Sequence, residues 1–362
     1  MKIAFYGSSL VSAYWNGAAT YYRGLLRALA EKGYEITFYE PDVYDRQKNR
    51  DIDPPHWCKV VVYEGTVEAL KNVTAEAAAA DVVVKASGVG FQDELLLEEL
   101  LRRARPDALK IFWDVDAPAT LAEVHVAQDH PLRNALNQLD MVLTYGGGDP
   151  VVDAYRAIGA RKCIPIYNAL DPQTHHPVPA DRRFGADLGF LGNRLPDREA
   201  RVEQFFLEPA SRLLNQSFLL GGSGWHDKPM SGNINYIGHV STRDHNAFNV
   251  TPKAVLNISR ASMAENGFSP ATRVFEAAGA GGCLITDHWE GIELFLKPNE
   301  EVLVARDGQD VADILADLSE ERADEIGQRA LRRVLEEHTY THRAETVDAL
   351  FRQHAAQMEA AE

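Results

Sequence analysis

Short apolar runs alternate with amphipathic stretches along the whole chain. Lys2–Tyr6 is apolar and ends at a glycine, the apolar positions after Thr20 recur at helical spacing, and Glu35–Tyr39 is the next apolar run. A strand, a helix and a second strand make a βαβ unit, which indicates a parallel sheet. Further strands of this half are predicted at Lys59–Tyr63, Asp81–Ala86, Leu109–Trp113, Asp140–Tyr145 and Ile164–Tyr167.

A proline-rich segment divides the pattern into two halves. Pro172, Pro177 and Pro179 lie in a stretch without apolar periodicity, which is typical of a linker. Beyond it, strands are predicted at Asp187–Leu191, Phe218–Leu220, Ile234–Ile237, Lys253–Ile258, Cys283–Thr286 and Glu301–Ala305. We therefore expect an α/β fold of two Rossmann-like domains facing each other across a cleft. The predicted parts are residues 1–167, a linker 168–182, a second domain 183–338, and a C-terminal helix 339–362 that packs back on the first domain.

The stretch Glu265–Glu293 carries the clearest candidate chemistry. Ser269 is predicted to be the N-cap of a helix and Pro270 its first residue, so the free N–H groups of that helix would form an anion site. Arg273 and Glu276 are three residues apart and therefore lie on one face. A guanidinium can bind two diphosphate oxygens, and a carboxylate can accept the vicinal hydroxyls of a ribose. The alternative is an ordinary surface ion pair.

The segment RVFEAAGAGGCLITD, followed by GIELF and EEVLVARD, resembles the donor-binding half of a GT-B glycosyltransferase. The resemblance is closest to the CgeB-like group of spore-maturation and group 1 glycosyltransferases. It implies that Glu276 holds the ribose of a nucleotide-sugar and that a nearby basic residue holds the diphosphate. The wider family often has a sugar-contacting glutamate eight residues earlier; here that position is Phe268, and Glu265 is the nearby alternative.

The resemblance implies a hexosyltransferase-like enzyme. It would move a sugar from a nucleotide-diphosphate sugar, of the UDP type, to a hydroxyl of a small-molecule, glycan or protein acceptor. Arg194 or Arg198, which follow the strand Asp187–Leu191, would supply a phosphate-binding cation, and Arg194 is preferred because it lies in the turn itself. Two glycine turns are expected to hold the nucleobase, one of them by stacking on a tryptophan. The base-binding candidates are Gly224, Trp225, Gly238 and His239.

The loops after the strands of the first half supply catalytic and acceptor candidates. Asp114 or Asp116 is expected to act as the general base on the acceptor hydroxyl, with a capping role as the alternative. His125 is a further candidate base, although a histidine on a helix is more often a surface or packing residue. Metal binding by the Asp-x-Asp pair is discounted, because that motif belongs to a different glycosyltransferase fold. The acceptor or sugar-loop candidates are Asn16, Gly17, Gly147 and Glu265.

The composition narrows the class of partner. The formal charge is −16 and the pI is near 5.2. Nucleic acids and anionic membranes both select clustered cations, so both are disfavoured as partners. The widely spaced Cys58, Cys163 and Cys283 are expected to be buried reduced thiols of a cytoplasmic protein. The N-terminal apolar run is too short for a signal peptide, and no window has the roughly 20 apolar residues that span a bilayer.

Other function classes share parts of this pattern. A sugar-nucleotide epimerase of the same fold would bind the same donor without an acceptor, and a coat or scaffold protein could keep the fold without the chemistry. A nicotinamide dehydrogenase is disfavoured because the first βαβ unit lacks the G-x-G-x-x-G fingerprint. We expect no cofactor and no metal in the reaction. The sugar, the acceptor and the oligomeric state are not fixed by the sequence.

Overall fold

The computed structural model describes residues 1–14, 16–127 and 129–360. They form two compact units. The first is Met1–Tyr167 together with the C-terminal helix that begins at Tyr340, and the second is Asn168–Thr339. Each unit contains its own parallel sheet with interleaved helices. The predicted α/β fold with two Rossmann-like units is confirmed.

The first unit is built on a parallel sheet of seven strands within the described residues. The strands are β1 (Lys2–Tyr6), β2 (Glu35–Asp42), β3 (Lys59–Glu64), β4 (Val82–Ala86), β5 (Leu109–Asp114), β6 (Met141–Thr144) and β7 (Cys163–Pro165). Their order is β3-β2-β1-β4-β5-β6-β7. The helices are α1 (Ala19–Glu31), α2 (Val67–Thr74), α3 (Asp93–Arg103), α4 (Ala117–Val126), α5 (Pro131–Ala135), α6 (Gly148–Ala157) and, at the C-terminus, α14 (Tyr340–Glu359).

The C-terminal helix α14 completes the core of the first unit by packing on α1. Tyr340 is 2% exposed, and a Cβ on Gly24 would overlap its ring. Tyr34 O–H donates to the Asp348 carboxylate at 2.7 Å and its ring meets Phe351 edge to face. The close approach of α1 and α14 therefore depends on a glycine in the middle of α1.

The second unit contains a parallel sheet of six strands in the described chain. The strands are β8 (Leu188–Leu191), β9 (Phe218–Gly221), β10 (Ile234–Gly238), β11 (Ala254–Asn257), β12 (Leu284–Asp287) and β13 (Leu303–Ala305), in the order β10-β9-β8-β11-β12-β13. The helices are α7 (Glu199–Val202), α8 (Glu208–Arg212), α9 (His245–Val250), α10 (Ala261–Asn266), α11 (Thr272–Ala280), α12 (Gly308–Asp317) and α13 (Glu320–Glu337).

The strand order of the second unit reverses between β8 and β11. The chain runs outward from β8 to β9 and β10, then returns to place β11 on the other side of β8. In open α/β sheets, ligands bind beyond the carboxyl ends of the strands at such a switch point. The loops that follow β8 and β11 are therefore where a ligand is expected.

The structure assigns residues 168–182, predicted as a linker, to the second unit. Asn168 is buried and its Nδ2–H donates to the Pro270 carbonyl at 3.2 Å. Leu170 N–H donates to the His338 carbonyl at 2.8 Å. The start of the segment, residues 168–171, is thus packed in the second unit, whereas Pro172, Pro177 and Pro179 are exposed. The three cysteines are buried and free, as expected.

We predict that Gly24→Ala destabilises the protein, although alanine is favoured over glycine in a helix by about 1 kcal/mol. Overpacking against the Tyr340 ring costs about 1–3 kcal/mol, and the net loss should appear as a lower urea midpoint. The matched control is Gly232→Ala, where nothing lies within 4 Å of the added Cβ. An equal loss for Gly24→Ala in a Tyr340→Ala background would show that the clash is not the cause.

Candidate functional site

Helix α11 begins two residues later than predicted. Its first residue is Thr272, and its N-cap is Ala271, which is extended and makes no side-chain capping bond. Ser269 is buried two residues before this cap, so it is not the N-cap. The backbone there is extended up to the helix, and the Pro270 carbonyl is bonded to the distant Asn168. The free N–H groups of α11 belong to its true first turn, which contains Arg273.

Arg273 and Glu276 lie together on one face of α11. Arg273 Nη1 is 3.7 Å from Glu276 Oε2, and each side chain is 16% exposed. The same Nη1–H donates to Asn249 Oδ1 at 2.9 Å. Asn249 is 1% exposed and lies on α9, which packs on α11. The spacing in the sequence correctly predicts this pair, but the partner on α9 has no signal in the sequence.

Two histidines complete the surroundings of Glu276. His175 is buried, and its Nε2 lies 3.9 Å from Glu276 Oε1. His245 is half-buried at the start of α9. The ligand-capable atoms of these three side chains all lie within 4.8 Å of one another. His175 comes from the segment that sequence analysis assigned to a linker, so neither histidine was a candidate.

The charges in this group are set by burial and by Arg273. Burial raises the pKa of Glu276, but Arg273 and the two histidines outweigh that effect and hold the pKa below its usual value. Burial, opposed in part by Glu276, lowers the pKa of His175. Burial and then Arg273 lower the pKa of His245 to about 4. At neutral pH the group therefore has an ionised carboxylate and two neutral imidazoles.

Positive charge converges from the loops at the switch point. Arg198 follows β8 and Arg260 follows β11. Burial, followed by the charge of Arg273, lowers the pKa of Arg198, and Arg260 has the same effect. Arg198 Nη2–H donates to the Asn193 carbonyl at 2.7 Å, while its buried Nε has no partner among the described residues. Arg198 and Arg273 thus act on each other at the edge of the sheet where a ligand is expected, whereas Arg260 is paired with Asp197, its Nε lying 2.5 Å from Asp197 Oδ2.

Arg194, the preferred phosphate-binding cation, is occupied by carboxylates. Arg194 Nη2 lies 2.7 Å from Glu199 Oε1, and its Nη1 lies 2.8 Å from Asp227 Oδ1. Lys228 also pairs with Glu199 at 2.8 Å. Arg198, which sequence analysis named second, makes no ion pair among the described residues and is therefore the better placed of the two candidates.

Trp225 does not offer a face to a nucleobase. Its ring is fully buried in the core of the second unit, and its Nε1–H donates to the Gly192 carbonyl at 2.8 Å. An indole that satisfies its N–H inside a core stabilises the turn instead of stacking on a ligand. Gly224 and Gly238 have φ values of 92° and 70° in the surrounding loops, and His239 is exposed. Gly224, Gly238 and His239 stay predictions.

A buried ion pair supports the loop that carries Arg260. Asp287 lies at the end of β12 and is 0% exposed. Its Oδ2 accepts a bond of 2.6 Å from Arg201 Nη2, and its Oδ1 accepts bonds from Ser259 N and Oγ at 3.0 and 3.1 Å. The Asp287 carboxylate therefore fixes the backbone directly before Arg260.

Asp114 is a buried organising residue of the first unit. It is 0% exposed, and its Oδ1 accepts bonds from Ser87 Oγ, Thr120 Oγ1 and the Asp116 N–H at 2.8–3.0 Å. Its Oδ2 accepts a short bond from Tyr155 O–H. Burial raises the pKa of Asp114 despite these bonds. A carboxylate so enclosed positions the loop after β5, and we reassign it from general base to that role.

The remaining first-unit candidates fall into two groups. Asp116 and His125 are exposed, on the loop after β5 and on α4. Asn16 is buried: Ser8 O–H donates to its Oδ1 at 2.9 Å, and its Nδ2–H groups bond the Ser9 and Ser12 carbonyls. It therefore shapes its own loop instead of facing a substrate.

Three further candidates belong to turns and to an exposed helix. Gly147 has φ 96° and a Cβ there would overlap Val151, so a glycine is required by the start of α6. Gly17 is exposed in the turn before α1. Glu265 is exposed on α10 in the second unit, and the structure gives it no contact with Glu276. Gly17 and Glu265 stay predictions.

Comparison with known proteins finds a family match over most of the second unit and the start of the C-terminal helix. Residues 198–349 match the protein-family model described as glycosyl transferase-like. This range contains α11 and the three arginines of the switch point. No curated protein matches the chain.

Solved structures show that the fold extends over the whole chain. Sucrose-phosphate synthase from Thermosynechococcus elongatus aligns over 100% of both chains with a TM-score of 0.72 and 16% identity. Anabaena Alr3699/HepE in complex with UDP-glucose covers 98% of this chain and 100% of its own, with a TM-score of 0.67 and 14% identity. AviGT4, a glycosyltransferase involved in avilamycin A biosynthesis, covers 98% of each chain with a TM-score of 0.62 and 18% identity.

The two parallel sheets with interleaved helices are those of the GT-B class of glycosyltransferases. The match over residues 198–349 agrees with the glycosyltransferase resemblance seen in the sequence. The CgeB-like subtype stays a prediction. Among the residues that the structure describes, no helix is long and apolar enough to cross a membrane.

We predict that Arg201→Ala lowers the free energy of unfolding by about 3–5 kcal/mol, because it leaves the Asp287 carboxylate buried and unpaired. The matched control is Arg306→Ala, which breaks an exposed pair with Asp310 and should cost less than about 1 kcal/mol. Denaturant unfolding of the two variants measures both. Similar small losses would contradict the view that Asp287 depends on Arg201.

Proposed function

We propose that the protein is a glycosyltransferase that uses a nucleotide-diphosphate sugar of the UDP type and transfers the sugar, a hexose, to an acceptor hydroxyl. One observation carries the proposal: an ionised carboxylate, Glu276, and the guanidinium groups of Arg198 and Arg273 come together near the switch point, within the range that matches a glycosyl transferase-like family. Anabaena Alr3699/HepE, which shares the fold, has been solved with UDP-glucose. The comparisons favour neither the epimerase nor the scaffold alternative.

Glu276 is proposed to hold the ribose of the donor. Its carboxylate is ionised at neutral pH and its Oε1 lies on the side of His175, away from the Arg273 contact with Oε2. An ionised carboxylate is an acceptor for both members of a vicinal hydroxyl pair, and such charge-assisted bonds are the stronger kind. This role rests on the residue that the family resemblance also identifies.

Arg198 and Arg273 are proposed to bind the diphosphate. Arg198 has a buried Nε without a partner in the described chain, and Arg273 lies in the first turn of α11. The free N–H groups of that turn carry partial positive charge. Together these donors can receive the negative charge that develops on the leaving nucleotide diphosphate, which is the usual role of such preorganised groups. We propose that the transfer step needs no metal ion, because these groups supply that charge.

The acceptor hydroxyl needs a base, and Asp116 is the proposed group. It is exposed directly after β5, whereas its neighbour Asp114 is enclosed by four hydrogen bonds. Asp114 holds the Asp116 N–H and so positions the residue that we propose to act. His125 is the second proposed base, also exposed, on α4.

We predict that Arg273→Ala and Glu276→Ala each lower turnover with the competent UDP-sugar at least about tenfold, since removing one preorganised donor typically costs roughly 10²–10³ in rate. Both should also reduce the rise in melting temperature that UDP causes in the wild type. The control is Arg243→Ala, whose side chain is 85% exposed. Turnover at the wild-type level in both variants would remove α11 from the donor site.

We also predict that Arg198→Ala weakens UDP binding more than Arg194→Ala does. Arg198 has donor capacity left for a phosphate, whereas Arg194 is neutralised by Glu199 and Asp227. Calorimetric titration of the two variants with UDP makes the comparison. A larger loss at Arg194 would return the phosphate-binding role to the turn after β8.

A further inference from the structure

Three side chains at α11 lie close together without a hydrogen bond between them. The ligand-capable atoms of His175, His245 and Glu276 lie within 4.8 Å. His175 Nε2 and Glu276 Oε1 are 3.9 Å apart, which is too long for a hydrogen bond. A buried imidazole and a buried carboxylate normally satisfy each other when they are neighbours. Their separation leaves room for a third atom that both can bind.

His175 is oriented through the ring nitrogen on its far side, and His245 also has a backbone contact. His175 Nδ1 lies 3.0 Å from Thr174 Oγ1, and the Thr174 hydroxyl donates to the Asp171 carbonyl at 3.2 Å. A hydroxyl has one proton, so that donation makes His175 Nδ1 the donor and leaves its Nε2 with a lone pair. His245 interacts with the backbone of Val240. Histidines that ligate metals usually donate their other N–H in this way.

The elements that hold the three residues are tied together. Asn246 Nδ2–H donates to the Thr174 carbonyl at 3.0 Å, which links the residue after His245 to the residue before His175. Helix α9, which starts at His245, packs on α11, which carries Glu276. All of these residues belong to the second unit. The three residues are therefore held by connected elements of one unit.

We propose that His175, His245 and Glu276 form a binding site for a divalent ion of the zinc class. Two imidazole nitrogens and one carboxylate oxygen suit Zn²⁺ and Co²⁺, whereas Mg²⁺ prefers oxygen ligands. With bonds of about 2.0–2.1 Å, tetrahedral ligand atoms lie about 3.3 Å apart. The His175 and Glu276 atoms, 3.9 Å apart, therefore need to close by about 0.6 Å, and no pair of ligand atoms needs to close by more than about 1.5 Å; water completes the coordination.

Arg273 is the positive group that opposes this ion. Its Nη1 lies 3.7 Å from Oε2 of Glu276 and is bonded to Asn249. The guanidinium thus contacts Oε2 of Glu276, whereas Oε1 of the same carboxylate faces His175. It lowers the affinity for a cation without blocking the ligand atom, so the site should bind zinc more weakly than a structural zinc site does.

The ion and the sugar donor should exclude each other. This consequence rests on the proposed function, in which Glu276 accepts the ribose hydroxyls. One carboxylate cannot bind the ion and the ribose in the same way at once, so each ligand lowers the apparent affinity for the other by the same factor. Zinc would then act as an inhibitor that occupies the ribose position.

The test is calorimetric titration of the full chain, freed of metal with a chelator, with Zn²⁺, Co²⁺ and Mg²⁺. We expect one Zn²⁺ per chain, visible Co²⁺ absorption typical of tetrahedral coordination, and no comparable Mg²⁺ binding. His175→Ala and His245→Gln should each weaken Zn²⁺ binding at least about tenfold. Even the loss of a residue that only hydrogen-bonds to a metal ligand typically lowers metal affinity about 10–100-fold. His245→Gln keeps a polar group at a half-buried position if His175→Ala fails to fold.

The matched control is His176→Ala, which removes an exposed imidazole next to His175. Wild-type Zn²⁺ affinity in this control, with loss in the other two variants, supports the site. Absence of saturable Zn²⁺ binding, or full binding by His245→Gln, overturns it. UDP is then added: competition with Zn²⁺ supports the shared use of Glu276, whereas independent binding leaves the zinc site in place and removes Glu276 from the donor site.

Discussion

A carboxylate shielded from water must be compensated, and the second unit is organised around that requirement at Glu276. Burial works against its ionised form, and Arg273 with two neighbouring histidines reverses the balance, so its pKa falls below the usual value. Arg273 in turn is fixed by Asn249, which is itself buried on α9. The packing of α9 on α11 therefore sets the charge of the site as well as its shape. The Glu276 carboxylate is therefore an ionised hydrogen-bond acceptor in a largely buried position.

The parallel sheet brings the rest of the site to the same place. Its order reverses between β8 and β11, and the loops after these strands carry Arg198 and Arg260. Arg198 is held by the nearby Asn193 carbonyl, and Arg260 is held by Asp197, 63 residues away. Asp287, at the end of the next strand, fixes the backbone before Arg260 through Ser259, and it is neutralised by Arg201 from α7. The positive side of the site thus depends on a buried ion pair that touches no ligand.

Features that depend on neighbouring residues could be predicted from the sequence, whereas contacts between residues far apart in the chain could not. The run Lys2–Tyr6 has the bounds of β1, because an apolar run between polar residues has few alternatives. The spacing of Arg273 and Glu276 likewise places them on one face. The role of Trp225 could not be inferred, since an aromatic residue after glycines is equally compatible with a surface and a core. His175 reaches Glu276 from 101 residues away, and no periodicity or motif connects them.

The site has two chemically different sides, and this difference sets which ligands it can select. Arg198 and Arg273 present donors and positive charge, whereas Glu276 and the two imidazoles present acceptors. A nucleotide diphosphate carries its charge and its ribose hydroxyls at a fixed separation, so it can satisfy both sides at once. A metal ion satisfies only the acceptors and is repelled by the arginines. The contacts with the arginines should therefore favour the nucleotide over the metal ion. The nucleotide gains binding energy from both sides of the site, whereas the ion gains it from the acceptors alone.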